Sequence, residues 1–188
     1  MTREFTPLPT DLDGYTLTKK LLPAGEIAQI NNRLAIELSY AYKDKNPLFI
    51  IVLNGALIFG SDISRLVKLG HAGYDTLAIT SYGKGTESTK QPILTKDIKT
   101  PIEGRDVILV EDIVDTGWSI SAVKKLLESR NPKSLSICTF LDKPSRREAD
   151  VQIDYIGRQI EDHFVVGYGL DVNELYRLYP DIWIAKEV

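Results

Sequence analysis

The hydrophobic positions of this chain change period along its length. After Pro23, the residues Ile27, Ile30, Leu34 and Leu38 recur at intervals of three and four, and this stripe predicts an amphipathic helix to about Asp44. Beyond Pro47 the period vanishes. Leu48-Phe49-Ile50-Ile51-Val52-Leu53 is an unbroken apolar run, as in a strand covered on both faces, and Asn54-Gly55 then returns the chain to helical spacing. Further strands are predicted near Thr76 to Ser81, at Val107 to Val110 and at Ser134 to Leu141, with a helix from about Ser119 to Ser129. This alternation predicts an α/β fold with a mostly parallel central sheet flanked by helices. From Ile153 onward short apolar runs alternate with turn residues, which predicts a smaller irregular lobe. The polar stretch from Gly83 to Gln91 has no apolar face and reads as a mobile loop.

Composition sharpens this picture in three ways. With 188 residues, 43% of them hydrophobic, the chain can bury one substantial core, and one domain is expected. Its 23 Lys and Arg stand against 26 Asp and Glu, so a net charge of -3 gives no general attraction to nucleic acid or anionic membrane. Any phosphate must be held locally. The sole cysteine, Cys138, lies in an apolar run and reads as a small buried side chain, and neither His71 nor His163 has a hydrolytic or metal-site context. No apolar signal core or membrane-length run is visible, so a cytoplasmic protein is expected.

The richest chemistry follows the third predicted strand. Val107-Ile108-Leu109-Val110 runs into Glu111-Asp112, and a third carboxylate, Asp115, precedes Thr116-Gly117-Trp118-Ser119 at a helix start. Parallel sheets bind ligands at the carboxyl ends of their strands, and such a turn offers backbone amides and hydroxyls to a phosphate monoester. This segment closely resembles the phosphoribosyl pyrophosphate (PRPP) signature of type I phosphoribosyltransferases. The resemblance implies that Glu111 and Asp112 hold the ribose hydroxyls, directly or through magnesium. Asp115, Thr116, Gly117, Trp118 and Ser119 would cradle the 5-phosphate, and Asp115 would accept or share the purine proton.

Four further stretches extend the likeness from about Leu48 to Arg177. Leu53-Asn54-Gly55-Ala56 is similar to the family's pyrophosphate loop, whose first peptide is often cis; Asn54 stands where Lys or Arg is usual. Ser81-Tyr82 resembles the base of the catalytic lid. Leu141-Asp142-Lys143-Pro144-Ser145-Arg146-Arg147 and His163-Phe164-Val165-Val166-Gly167-Tyr168-Gly169-Leu170-Asp171 are similar to the hypoxanthine-guanine branch. By that resemblance Lys143 donates to the 6-oxo group and Phe164 stacks on the ring. The carbonyls of Val165 and Asp171 would face purine position two. Asp171 would also hold a second magnesium, Arg177 would contact pyrophosphate, and Arg147 would play a similar supporting part. The implied fold is a core over about residues 24–143 and a hood from the N-terminal segment and about 144–188. The implied activity joins hypoxanthine or guanine to PRPP with magnesium, giving IMP or GMP and pyrophosphate, in a homodimer or homotetramer. A xanthine-guanine enzyme is disfavoured by the Lys143 and Phe164 segments. A PRPP-sensing nucleic-acid regulator is disfavoured by the missing basic arm.

Overall fold

The computed structural model describes residues 10–80 and 93–188; Ser81 and Tyr82, expected at the base of a lid, and the loop expected from Gly83 to Gln91 lie outside them. In chain order the elements are β1 (Asp11–Leu12), β2 (Tyr15–Leu22), α1 (Ala24–Ala41), β3 (Leu48–Leu53), α2 (Leu57–Leu66), β4 (Gly73–Thr80) and β5 (Ile93–Lys96). They continue with β6 (Asp106–Val114), α3 (Trp118–Glu128), β7 (Ser134–Asp142), a 3-10 turn (Pro144–Arg146), β8 (Tyr155–Gln159), β9 (Val165–Val166) and β10 (Ile182–Glu187). Six strands form the main sheet in the order β5-β4-β3-β6-β7-β8, and every neighbouring pair is parallel except β4 with β5. A second sheet, β1-β2-β10-β9, builds the hood from the two ends of the chain.

The unbroken apolar runs follow from two covered faces. Phe49, Ile51, Ile108 and Val110 pack with Ile27, Leu34 and Leu38 of α1 and with Phe59 and Ile63 of α2. Leu48, Ile50, Val52, Val107 and Leu109 point the other way, onto Ile120, Val123 and Leu127 of α3. The expected mostly parallel sheet between helices is therefore present, and its carboxyl edge is where β3, β6 and β7 deliver their loops.

Four boundaries differ from the sequence reading. β6 does not stop at Val110: its ladder with β7 continues through Glu111↔Thr139 to Val114↔Asp142, so backbone pairing carries the two acids inside the strand. The main sheet also takes in β8, from the stretch assigned to the hood; its residues are only half-buried or exposed, which blurs the apolar pattern. β5 is a short antiparallel strand with the same weak signature. Helix α1 ends at Ala41, short of Asp44.

Hood and core are joined at the start of α1. The Ala24 N–H donates to Asp181 Oδ1 at 2.8 Å, and Lys20 Nζ lies 2.6 Å from Asp181 Oδ2. Burial would raise the Asp181 pKa, but Lys20 and the Ala24 amide outweigh it and hold the carboxyl below its usual range. Cys138 is fully buried, and that burial pushes its thiol pKa up, as an inert core residue requires. No helix among the described residues is long and apolar enough to cross a membrane.

Candidate active site

The two acids carried by β6 are unlike surface carboxylates. Glu111 is 9% exposed and Asp112 is half-buried, and the Asp112 N–H donates to Glu111 Oε1 at 3.1 Å. Burial, and then the neighbouring Asp112 charge, hold the Glu111 pKa well above the ordinary value of 4.5. Burial also raises Asp112, so the two release protons as a coupled pair. The sign follows directly. An acid with a raised folded pKa binds more protons in the folded state, so it weakens the fold as pH rises above 4.5 and does nothing below that value. Glu111→Gln should therefore raise the melting temperature of the ligand-free protein at pH 7, by about 2–4 °C per kcal/mol recovered. The gain should vanish near pH 4. Equal melting curves for both proteins at pH 7 would contradict this prediction.

Downstream of the acids the chain makes the turn expected to act as a phosphate cradle. Gly117 has φ +87°, a conformation that L side chains rarely adopt, and a Cβ there would sit 3.0 Å from Arg147 Cδ and Nη1. No side chain caps the helix that begins at Trp118. A cavity of about 110 Å³ is lined by Glu111, Asp115, Thr116, Gly117 and Ser119. Trp118 turns its indole aside to donate to Glu148 Oε2 at 2.9 Å and does not line this cavity.

One short segment supports this turn from behind. The Lys143 N–H donates to Val114 O at 2.9 Å, and the amides of Glu148 and Ala149 donate to Thr116 O at 2.9 and 3.0 Å. Arg147 pairs with the buried Asp142 and packs against Gly117. Its guanidinium is thus held by a buried carboxylate below the turn, where it braces Gly117. Lys143 is itself buried, 5% exposed, with Nζ 3.5 Å from Asp115 Oδ2 and 3.7 Å from Asp162 Oδ1. Arg146 lies against the same two carboxylates, Nε 3.1 Å from Asp115 and Nη1 3.6 Å from Asp162.

On the other side of β6 a cavity of about 500 Å³ is lined by Asn54, Gly55, Thr80, Asp112, Asp171 and Arg177, among others. The Leu53–Asn54 peptide is cis. A Cβ on its neighbour Gly55 would fall 1.8 Å from Asp112 Oδ2 and push that carboxylate aside, and one on Gly169 would fall 2.1 Å from the Gly55 carbonyl oxygen, a backbone atom with no room to yield. Arg177 donates to Gly169 O at 2.8 Å and lies 2.9 Å from Asp171 Oδ1, whose other oxygen accepts from the Glu174 N–H. Among the described residues no cluster of three or more His, Cys, Asp or Glu could hold a metal unaided. Asp112 and Asp171 share this cavity while Glu111 faces the phosphate cradle, so a cation here would draw its remaining ligands from substrate and water. A hard dication that keeps several such oxygens suits that donor set. At the hood, Phe164 is 48% exposed, with its ring centroid 5.7 Å from that of Tyr15, and Val165 is buried in β9.

Comparison with known proteins then decides the family. The family model described as a phosphoribosyl transferase domain matches residues 18–173, most of the chain. The chain belongs to the phosphoribosyltransferase family. This phosphoribosyltransferase is 41% identical over 170 residues to the hypoxanthine-guanine phosphoribosyltransferase of Staphylococcus aureus Mu50, covering 90% of this chain and 94% of that one. It is 42% identical over 164 residues to the hypoxanthine phosphoribosyltransferase of Escherichia coli K12, covering 86% and 92%. Among solved structures, the hypoxanthine phosphoribosyltransferase of Staphylococcus aureus superposes with a TM-score of 0.86 at 40% identity, covering 90% and 92%.

Within the site of this phosphoribosyltransferase, four residues had no signal of their own in the sequence. Asp142 is a buried anchor, Arg146 and Asp162 complete the charge cluster at Lys143, and Glu174 bonds Arg177 and lines the larger cavity. Asp142 and Arg146 lie within the stretch Leu141 to Arg147, where Lys143 carries the resemblance; an acid such as Asp162 in a polar stretch reads as solvated surface.

Proposed function

We propose that this phosphoribosyltransferase is a purine salvage enzyme that transfers the phosphoribosyl group of PRPP to hypoxanthine or guanine, releasing pyrophosphate and forming IMP or GMP. The observation that carries this reading is the buried ammonium of Lys143 beside Asp115, next to the phosphate cradle. A buried cation offering only donors suits a 6-oxo acceptor, and the adjacent carboxylate suits the proton leaving the imidazole ring. Phe164, exposed on the hood, offers a face for the base. The named relatives support the same reading.

In this scheme Thr116, Gly117, Ser119 and the amides at the start of α3 hold the 5-phosphate. Asn54, Gly55 and Arg177 receive pyrophosphate, with backbone amides and Arg177 replacing the cation that Asn54 lacks. Asp112 and Asp171 would hold magnesium, which as a Lewis acid would stabilise the charge leaving with pyrophosphate, while Glu111, on the cradle side, would meet the ribose hydroxyls. On family resemblance we further propose a cytoplasmic homodimer or homotetramer. A spectrophotometric screen of adenine, hypoxanthine, guanine and xanthine with PRPP, with and without magnesium, tests the reading. Hypoxanthine or guanine should be consumed only with the metal. Preference for adenine or xanthine would overturn the substrate assignment, and full activity in chelator would overturn the metal.

A further inference from the structure

We infer that Asp162 is a positioning residue that keeps the Lys143 ammonium paired while Asp115 takes up the purine proton. This rests on the 6-oxopurine reading above and assigns a part to a loop residue outside the motifs that suggested it.

The cluster is an alternating square. Two carboxylates, Asp115 and Asp162, face two cations, Lys143 and Arg146, with all four contacts between 3.1 and 3.7 Å. Asp162 is half-exposed, its side chain at 52%, and its pairing with the half-exposed Arg146 alone would count for little. The Lys143 side chain is only 7% exposed, which changes the balance. An ammonium withdrawn from water is strongly unfavourable without an anion beside it.

During transfer one proton passes from the purine imidazole nitrogen to an Asp115 oxygen. The nitrogen lone pair forms the bond to the sugar C1 as the C1–O bond breaks, and pyrophosphate leaves with that electron pair. Lys143 keeps its protons throughout. At that moment Asp115 is neutral, and of the two carboxylates at Lys143 only Asp162 still carries charge. Asp162 approaches from the loop between β8 and β9, so it is not displaced by a base docking on Asp115. It thereby removes a cost that would otherwise fall on the chemical step, and it acts through Lys143 and not on the substrate.

A double-mutant cycle tests this, with kcat and KM measured for hypoxanthine and PRPP in wild type, Asp162→Asn, Lys143→Gln and the double variant. Asp162→Asn should lower kcat about tenfold with both KM values within about threefold, and in the Lys143→Gln background the same change should cost less than about twofold. Asp162→Glu should restore most of the lost turnover. Wild-type kcat in Asp162→Asn, or an equal loss in both backgrounds, would overturn the inference, since a merely structural role is blind to Lys143. Wild-type inactivity with hypoxanthine, and with guanine assayed beside it, would instead strike the functional reading itself, before any variant is compared.

Discussion

Asp115→Ala should lower kcat by about 10²- to 10⁴-fold, the usual range for losing a positioned proton acceptor. The side chain is 41% exposed and stands at the mouth of the phosphate cradle, with Arg146 Nε at 3.1 Å and Lys143 Nζ at 3.5 Å. Truncation leaves Lys143 beside Asp162 and leaves the amides of the α3 start untouched. The fold and the 5-phosphate contacts should therefore survive, and KM for PRPP should stay within about fivefold, because the lost interaction is made mainly in the transition state. Asp115→Asn is the stricter comparison: it keeps the shape and a carbonyl acceptor while removing the capacity to hold a proton, and should be nearly as impaired. Steady-state kinetics on both variants, alongside their melting temperatures, checks this. Unchanged turnover in Asp115→Ala would move the base to another group.

Adenine should be used at least about a thousandfold less efficiently than hypoxanthine, as sites built around one polar partner reject analogues that lack it by roughly 10⁴- to 10⁵-fold. Lys143 presents three donors and no acceptor. A 6-oxo group accepts from it, whereas adenine brings an amino donor to the same place and an acceptor at the adjacent ring nitrogen. In water such a mismatch is soothed by solvent. Here the ammonium is only 5% exposed, so it must keep its two carboxylates and leave the adenine amino group facing a cation. Lys143→Ala should lower kcat/KM for hypoxanthine and compress the hypoxanthine-to-adenine ratio, the same quantity for both bases being compared in both proteins. Wild-type use of adenine within tenfold of hypoxanthine would overturn the role of Lys143 and the 6-oxopurine assignment together.

What could be read in advance depended on how each segment is covered. β3 and β6 announce themselves because both of their faces are buried, so every position is apolar until function intrudes. β5 and β8 lie at the sheet edges and carry mixed residues, leaving no period to detect. In the site, the run from Glu111 to Ser119 was legible because local chain geometry alone brings its polar groups to one turn. Phe164 is apolar by type and would be assigned to the core, yet the hood sheet leaves it half-exposed. Arg147 reads as an anion ligand, and only the fold reveals that Asp142 holds it from below. Asp162 meets Lys143 across 19 positions of sequence that include a whole strand, a proximity no spacing rule encodes.

The stretch from Lys143 to Ala149 carries the buried ammonium proposed to meet the base and, through the amides of Glu148 and Ala149, braces Thr116 in the turn proposed to hold the 5-phosphate. In the proposed scheme nucleobase and sugar-phosphate would be read by two ends of one strap, anchored midway by the Arg147–Asp142 pair. For a protein engineer, altering the preferred base by trading residues in this strap also retunes the grip on PRPP. The natural unit to exchange is the whole strap together with the turn it braces.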